Sequence, residues 1–214
     1  MSVLNALPPS VSYDFIYLAS QSPRRRELLE QIDVRYELLL PEAEDDTESL
    51  ELVLEKEPPQ EYVQRVTLAK LKAALARHDK QGLPQAPILC SDTTVALGDK
   101  ILGKPENEAH ACEMLALLQN GRHHVYSAVV IALPQMDEIA PCLQLSASEV
   151  TLLPMSSKEI AEYVASGECM GKAGAYAIQG RMAAYVKHIV GSYSGIMGLP
   201  LCETAQLLKY FRVM

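Results

Sequence analysis

The sequence predicts an α/β fold built on a mixed β-sheet. Two observations carry that expectation. Apolar strand-like runs interleave with helical patterns along most of the chain, the order of an α/β protein. Two long strand-like runs, Val125 to Leu133 and Leu143 to Leu153, then follow each other with no helix between them. Neighbours of that kind point to a mixed sheet rather than a purely parallel one. The 214 residues, 49% of them hydrophobic, suit one large domain or two small lobes.

Each element has a local signal. Residues 1–12 read as a loose tail, followed by a single domain over 13–214. Tyr13 to Ala19 is a short apolar strand. Ser22 suits an N-cap and Pro23 the first helical position, so a helix runs from about Pro23 to Gln31. Val34 to Leu40 alternates weakly and reads as a strand. Glu42 to Glu57 holds eight acidic residues against Lys56. It reads as an exposed acidic loop or irregular helix, a solvated surface in its plain reading. Pro58-Pro59 opens a helix to about Asp79, with Val63, Val66, Ala69, Leu71 and Ala74 apolar. Ala86 to Leu97 is strand-like, and Leu97-Gly98-Asp99-Lys100 turns the chain into Ile101-Leu102.

Asn107 to Gln119 is helical. In the second long strand Leu145, Ala147, Glu149 and Thr151 alternate, which leaves one face solvated. Ser156-Ser157-Lys158-Glu159 is a capping box for a helix to Ala165. Ala183 to Val190 reads as a strand. Gly191 to Leu201 reads as a glycine-bracketed loop into a closing helix from Pro200 to Arg212.

Composition removes several classes of function. The formal net charge is −8, whereas binding a nucleic-acid polymer needs broad phosphate neutralisation. A small anionic ligand needs only local positive charge. The five cysteines are widely spaced and form no C-x-x-C, the usage of a reducing compartment without a zinc site. No segment approaches the ~20 apolar residues of a membrane span, and no signal peptide is evident. The expectation is a soluble cytoplasmic protein without membrane contact. A homodimer is compatible with the sequence.

Three places stand out chemically. Arg24-Arg25-Arg26 occupies a helix first turn, where positive charge is disfavoured by the helix dipole. With Ser22 and the free N–H groups of that turn, the arginines make a ready site for polyphosphate. Asp92, in Ser91-Asp92-Thr93-Thr94, lies within an apolar strand, where a carboxylate needs a partner or a metal. It either accepts backbone N–H bonds or serves a reaction. Lys104, in Gly103-Lys104-Pro105, can reach phosphate as a compact charge. Lys172 to Gly180 forms a glycine-bracketed loop in which Gln179 could pair with the edge of a base. His123 and His124 are adjacent in a strand and face opposite sides; the histidines make no metal pattern.

Taken in order, these segments resemble the Maf family of nucleoside triphosphate pyrophosphatases. The matching pieces are Leu18-Ala19-Ser20-Gln21-Ser22-Pro23-Arg24-Arg25, Tyr62-Val63-Gln64-Arg65 with Lys70, Ser91-Asp92-Thr93, Gly103-Lys104-Pro105, Gly174-Ala175-Tyr176-Ala177-Ile178-Gln179-Gly180 and Gly198-Leu199-Pro200-Leu201. The resemblance implies a two-lobed Maf-like (ITPase-like) fold, with a long mixed central sheet and an inter-lobe cleft. It implies hydrolysis of a nucleoside triphosphate to monophosphate and pyrophosphate with a divalent cation, Mg²⁺ or Mn²⁺. It places the catalytic aspartate at Asp92 and substrate specificity at Arg24, Thr93 and Gln179. It places phosphate binding at Lys70 and Lys104, beside Ser22 and Arg25, and metal contacts at Asp92 and Asp45. The chain departs from the family pattern at Glu44-Asp45, where Asp-Glu is usual, and at Gly171, where aspartate is usual. The stretch Thr67 to Lys72 is less regular than the family's alanine-rich helix. A role in septum formation, as a nucleotide sensor without catalysis, is the alternative reading.

The subfamily follows from hydrogen bonding. A branch of the family that prefers 7-methylated guanine carries Glu near this loop, and a carboxylate accepts two N–H bonds from guanine. Gln179 offers one donor and one acceptor, which fits thymine or uracil, and after an amide flip fits cytosine too. Arg24 only donates, so it favours the carbonyl of thymine or uracil over the amine of cytosine. The resemblance therefore points to dTTP and UTP, and to modified uridine or thymidine triphosphates.

Overall fold

The computed structural model describes residues 11–42, 49–135 and 141–214. The first ten residues of the expected tail, and Asp45 with its neighbours, lie outside them. One seven-stranded sheet organises the rest. Its strands are β1 (Ile16–Leu18), β2 (Tyr36–Leu38), β3 (Ile88–Leu97), β4 (Lys100–Leu102), β5 (Arg122–Ala132), β6 (Cys142–Leu152) and β7 (Val186–Val190). They lie in the order β2-β1-β3-β5-β6-β7, with β4 beside β3. β1 runs parallel to β2 and β3, and the remaining pairs are antiparallel. The sheet is mixed, as the adjacent long strands predict.

Among the described residues six α-helices accompany it: α1 (Pro23–Glu30), α2 (Pro59–Gln81), α3 (Glu108–Leu118), α4 (Ser157–Ala165), α5 (Tyr193–Met197) and α6 (Leu201–Tyr210). Their ends follow the sequence signals. α2 starts at a proline and stops at Gly82, whose φ of +59° takes the left-handed conformation glycine tolerates. Asn107 caps α3 by accepting from His110 N–H at 2.9 Å. The capping box of α4 forms: Ser156 N–H donates to Glu159 at 2.7 Å, and Glu159 N–H to the Ser156 hydroxyl at 3.3 Å. α2 passes through Thr67 without a break, and the buried hydroxyl is satisfied by donating back to the Val63 carbonyl at 2.6 Å.

Three expectations need correction. Ser22 takes the extended N-cap conformation, but its hydroxyl makes no capping bond. The strand expected from Ala183 splits, because Arg181–Tyr185 forms a 3₁₀ turn before β7 begins. The glycine-rich segment 191–201 is not all loop. Ser192 accepts from Gly195 N–H at 3.0 Å and starts the short helix α5.

From Val125 onward β5 is buried on both faces, whereas β6 buries alternate residues, including Ser146, Ser148, Val150 and Leu152. On β3, Ile88 and Cys90 pack with Leu71 and Ala74 of α2. Leu89 faces the other way, among Leu28 and Leu29 of α1 and Leu207 and Phe211 near the chain's end. A further core joins α3 and α4 to Val125 and Val150. No described helix is long and apolar enough to cross a membrane.

Candidate active site

The edge of β3 has a gap. Pairing with β1 stops at Leu89, and pairing with β4 begins at Val95. Asp92 and Thr93 lie in that gap, beyond the carboxyl end of β1, the position where open α/β sheets place ligands. A cavity of about 410 Å³ opens there. The alternation of the strand sends Asp92 toward α2 and Thr93 to the opposite face. Asp92 is buried, and its Oδ1 accepts from Lys70 Nζ of α2 at 2.6 Å. Thr93 bonds the Ser127 hydroxyl at 2.7 Å, and Ser127 donates to the Gly195 carbonyl of α5 at 2.6 Å. Both Asp92 and Thr93 line the cavity.

The arginine-bearing first turn of α1 closes one wall. Arg24 Nε donates to the Met197 carbonyl at 3.1 Å. Arg25 donates to the Gly198 carbonyl at 2.8 Å and to the Ser20 hydroxyl at 3.0 Å. Each uses only part of its five-donor fork on the protein. Arg26 bends back to the Gln21 carbonyl at 3.2 Å and does not line the cavity. Burial lowers the Arg24 and Arg25 guanidinium pKa values from the ordinary arginine range, and nearby Asp92 opposes that at Arg25. The uncapped Ser22 also faces the cavity.

The lining also holds a residue the sequence did not single out. Ser49–Glu51 forms a 3₁₀ turn, and Glu51 bridges two lysines. Its Oε1 accepts from Lys70 at 2.8 Å and its Oε2 from Lys104 at 2.8 Å. Burial raises the Glu51 carboxyl pKa, but Lys70 and Lys104 outweigh burial and hold it below the ordinary value. The strap carrying Glu51 is tied to α2. Tyr62 donates to the Glu51 carbonyl at 2.9 Å, and Arg65 binds Glu57 at 2.6 and 2.8 Å and the Leu52 carbonyl at 2.8 Å. The acidic stretch is therefore not simply a solvated surface, because Glu51 meets Lys70 and Lys104 and Glu57 meets Arg65.

The loop after α4 lines the cavity too. Gln179 is exposed into the cavity, and its amide bonds no other described residue. Lys172 lines the same region, its pKa lowered by burial and by nearby Arg24. Arg77, on α2, is a further lining cation that sequence reasoning passed over. The lining residues thus include Arg24, Arg25, Lys70, Arg77, Lys104 and Lys172 against Glu51 and Asp92. In a chain of net charge −8, that concentration of cations marks a polyanion site.

For a hard cation the donor set is partial. Asp92 and Glu51 converge on one Lys70 ammonium, so two carboxylates come within reach of a single cation. No group of three or more His, Cys, Asp or Glu among the described residues could hold a metal ion. A divalent ion would complete its shell with phosphate oxygens and water, as Mg²⁺ does. Asp45 lies outside the described residues.

The Maf-like protein family matches residues 15–211. The chain belongs to that family. It is 60% identical over 196 residues to a dTTP/UTP pyrophosphatase of a Polaromonas species, covering 92% of this chain and 95% of that one. It is 58% identical to one of Albidiferax ferrireducens (92% and 97% covered) and 55% identical to one of Cupriavidus pinatubonensis (94% and 98%). The solved Ham1 protein of Staphylococcus aureus is 13% identical, with a TM-score of 0.40 over 64% of this chain and 71% of that one. That weaker likeness adds nothing to the assignment.

Proposed function

We propose that the chain hydrolyses dTTP and UTP, and modified uridine or thymidine triphosphates, to the nucleoside monophosphate and pyrophosphate. The observation that carries the reading is the cavity itself. Cations line it together with Asp92, and the Gln179 amide, without a partner among the described residues, is exposed into it. Relatives at 53–60% identity are named dTTP/UTP pyrophosphatase, which supports the same substrate class.

Arg25, Lys70, Lys104 and the Ser22 end of α1 bind the phosphates and stabilise the charge that develops as the α–β bridge breaks. Water adds to the α-phosphorus, the bond to the bridging oxygen breaks, and pyrophosphate leaves with that oxygen. Asp92 orients the water and receives its proton directly or through solvent. Lys70 and Lys104 leave Glu51 for phosphate oxygens when the substrate enters. Mg²⁺ or Mn²⁺, held by Asp92 and Glu51 with the substrate's own oxygens, would add positive charge at the phosphates. Arg24, Thr93 and Gln179 read the base. The two lobes of residues 13–214 meet at this cavity, a division supported by separate apolar cores around α1 and α6 and around α3 and α4.

The test is a panel of nucleoside triphosphates assayed for pyrophosphate with and without divalent cation. dTTP and UTP should lead the panel, and chelation should stop the reaction. Equal turnover of purine and pyrimidine triphosphates would contradict the substrate assignment.

A further inference from the structure

The loop that carries Gln179 is held from behind, by two side chains that do not line the cavity. Tyr163 of α4 is only 4% exposed. Its hydroxyl accepts from Ala177 N–H at 3.2 Å and donates to Glu168 Oε1 at 2.8 Å. Both Glu168 carboxylate oxygens lie 3.1 Å from Arg181 N, which donates to them. Ala177 and Arg181 stand two residues before and two residues after Gln179. One tyrosine–carboxylate pair therefore holds the peptide N–H groups that bracket it.

Gly180 fits the same arrangement. A Cβ there would lie 2.3 Å from Glu168 Oε1 and 2.4 Å from its Cδ, so only glycine lets the carboxylate lie against this backbone. A third anchor sits nearby, where the Tyr176 hydroxyl bonds His123 Nε2 at 2.8 Å. Burial, and next the bond to Glu168, raise the Tyr163 hydroxyl pKa, so it stays a donor. With the backbone tied down, the Gln179 amide remains without a partner among the described residues.

We propose that Tyr163 and Glu168 are positioning residues for base selection: by pinning the Ala177 and Arg181 N–H groups they fix where the Gln179 amide meets the pyrimidine edge. The proposal rests on the reading of Gln179 given above. An amide presents a donor and an acceptor and fits uracil or cytosine according to its orientation. It discriminates only while its backbone is fixed, because a site loosened by about an ångström loses its geometry. The tyrosine and the carboxylate act on the base through Gln179 and touch no substrate themselves.

The experiment compares kcat and KM for dTTP and CTP in the full chain and in Tyr163→Phe, Glu168→Gln and Gln179→Ala. It adds the two double variants with Gln179→Ala and a Tm for each protein. Tyr163→Phe and Glu168→Gln should each lower the dTTP-to-CTP ratio of kcat/KM by about tenfold, the loss of a hydrogen bond or two. The change should come mainly from KM for dTTP, with affinity for inorganic triphosphate held to within about twofold. On the Gln179→Ala background neither substitution should move the ratio further.

Folded single variants with the wild-type ratio, beside a Gln179→Ala that lowers it, would overturn the positioning role and leave Gln179 standing. Additive losses in the double variants would overturn it too. An unchanged ratio in Gln179→Ala itself would overturn the reading of Gln179, and the positioning role with it. Should Glu168→Gln fail to fold, Tyr163→Phe, which removes a single hydroxyl, decides alone.

Discussion

Lys70 Nζ lies 2.6 Å from Asp92 Oδ1, joining the middle of α2 to the middle of β3. The pair is mostly buried, with side chains 21% and 12% exposed. Lys70 also binds Glu51, so it keeps a carboxylate partner when the Asp92 charge is removed. Breaking a buried pair is costly mainly because it strands a charge, and here none is stranded.

Asp92→Asn should therefore keep the fold and nucleotide binding while lowering kcat by about 10² or more, the scale of lost acid–base or metal positioning. Turnover and a Tm on the same preparation check it. Wild-type turnover in the folded variant would remove Asp92 from the chemistry.

Arg24 and Lys104 should fail differently. Arg24 is held by the carbonyl of Met197 and neighbours Lys172, which belongs to the loop that carries Gln179. Lys104 meets Glu51 beside Lys70. Arg24→Ala should narrow the differences among dTTP, UTP and CTP, whereas Lys104→Ala should weaken all three alike. Specificity constants for both variants decide it. A uniform loss in Arg24→Ala would make that arginine a phosphate ligand.

Gln179→Glu replaces the amide donor with a second acceptor. Facing the O4 carbonyl, it should cost dTTP and UTP on the order of 1–3 kcal/mol. Activity on 7-methyl-GTP should rise only in part, because Arg24 still crowds a purine. An unaltered ratio of dTTP to 7-methyl-GTP would show that this position does not read the base.

His123 gives a pH prediction. Burial first, and His124 next, lower its pKa to about 4. An unfolded histidine titrates near 6.5, so between about pH 6.5 and 4 the unfolded chain binds more protons than the folded one. The stability this group contributes is full above about pH 6.5 and is lost as the pH falls toward 4. The slope from this residue is at most about 1.4 kcal/mol per pH unit. His123→Gln should flatten the dependence of the unfolding free energy on pH across that window. An unchanged slope would mean that His123 is charged in the folded protein.

What was legible in the sequence followed from local rules. Period, caps and turns place the helices α1 to α4 and the long strands within a few residues. Asp92, Lys70 and Lys104 converge on one cavity, matching motifs far apart in the chain. Glu51 was hidden because one acid among eight in an acidic run carries no local mark. Only the tertiary approach of Lys70 and Lys104 selects it. The surplus of cations over carboxylates at the predicted site (Arg24, Arg25, Lys70 and Lys104 against Asp45 and Asp92) was the one signal that could have asked for it. Helix α5 was missed for a related reason: Gly191, Gly195 and Gly198 suggested a loop, while Ser192 supplied the cap. Tyr163 and Glu168 looked like ordinary helix and loop residues until their bonds to Ala177 and Arg181 appeared.

Hydrolysis at the α-phosphorus by a water beside Asp92 leaves an isotopic signature. Turnover of dTTP in ¹⁸O-labelled water, read by mass spectrometry of both products, tests it most directly. One labelled oxygen should appear in dTMP and none in pyrophosphate. Label in the pyrophosphate would contradict it, and so would dTTP bound at saturation with no product released.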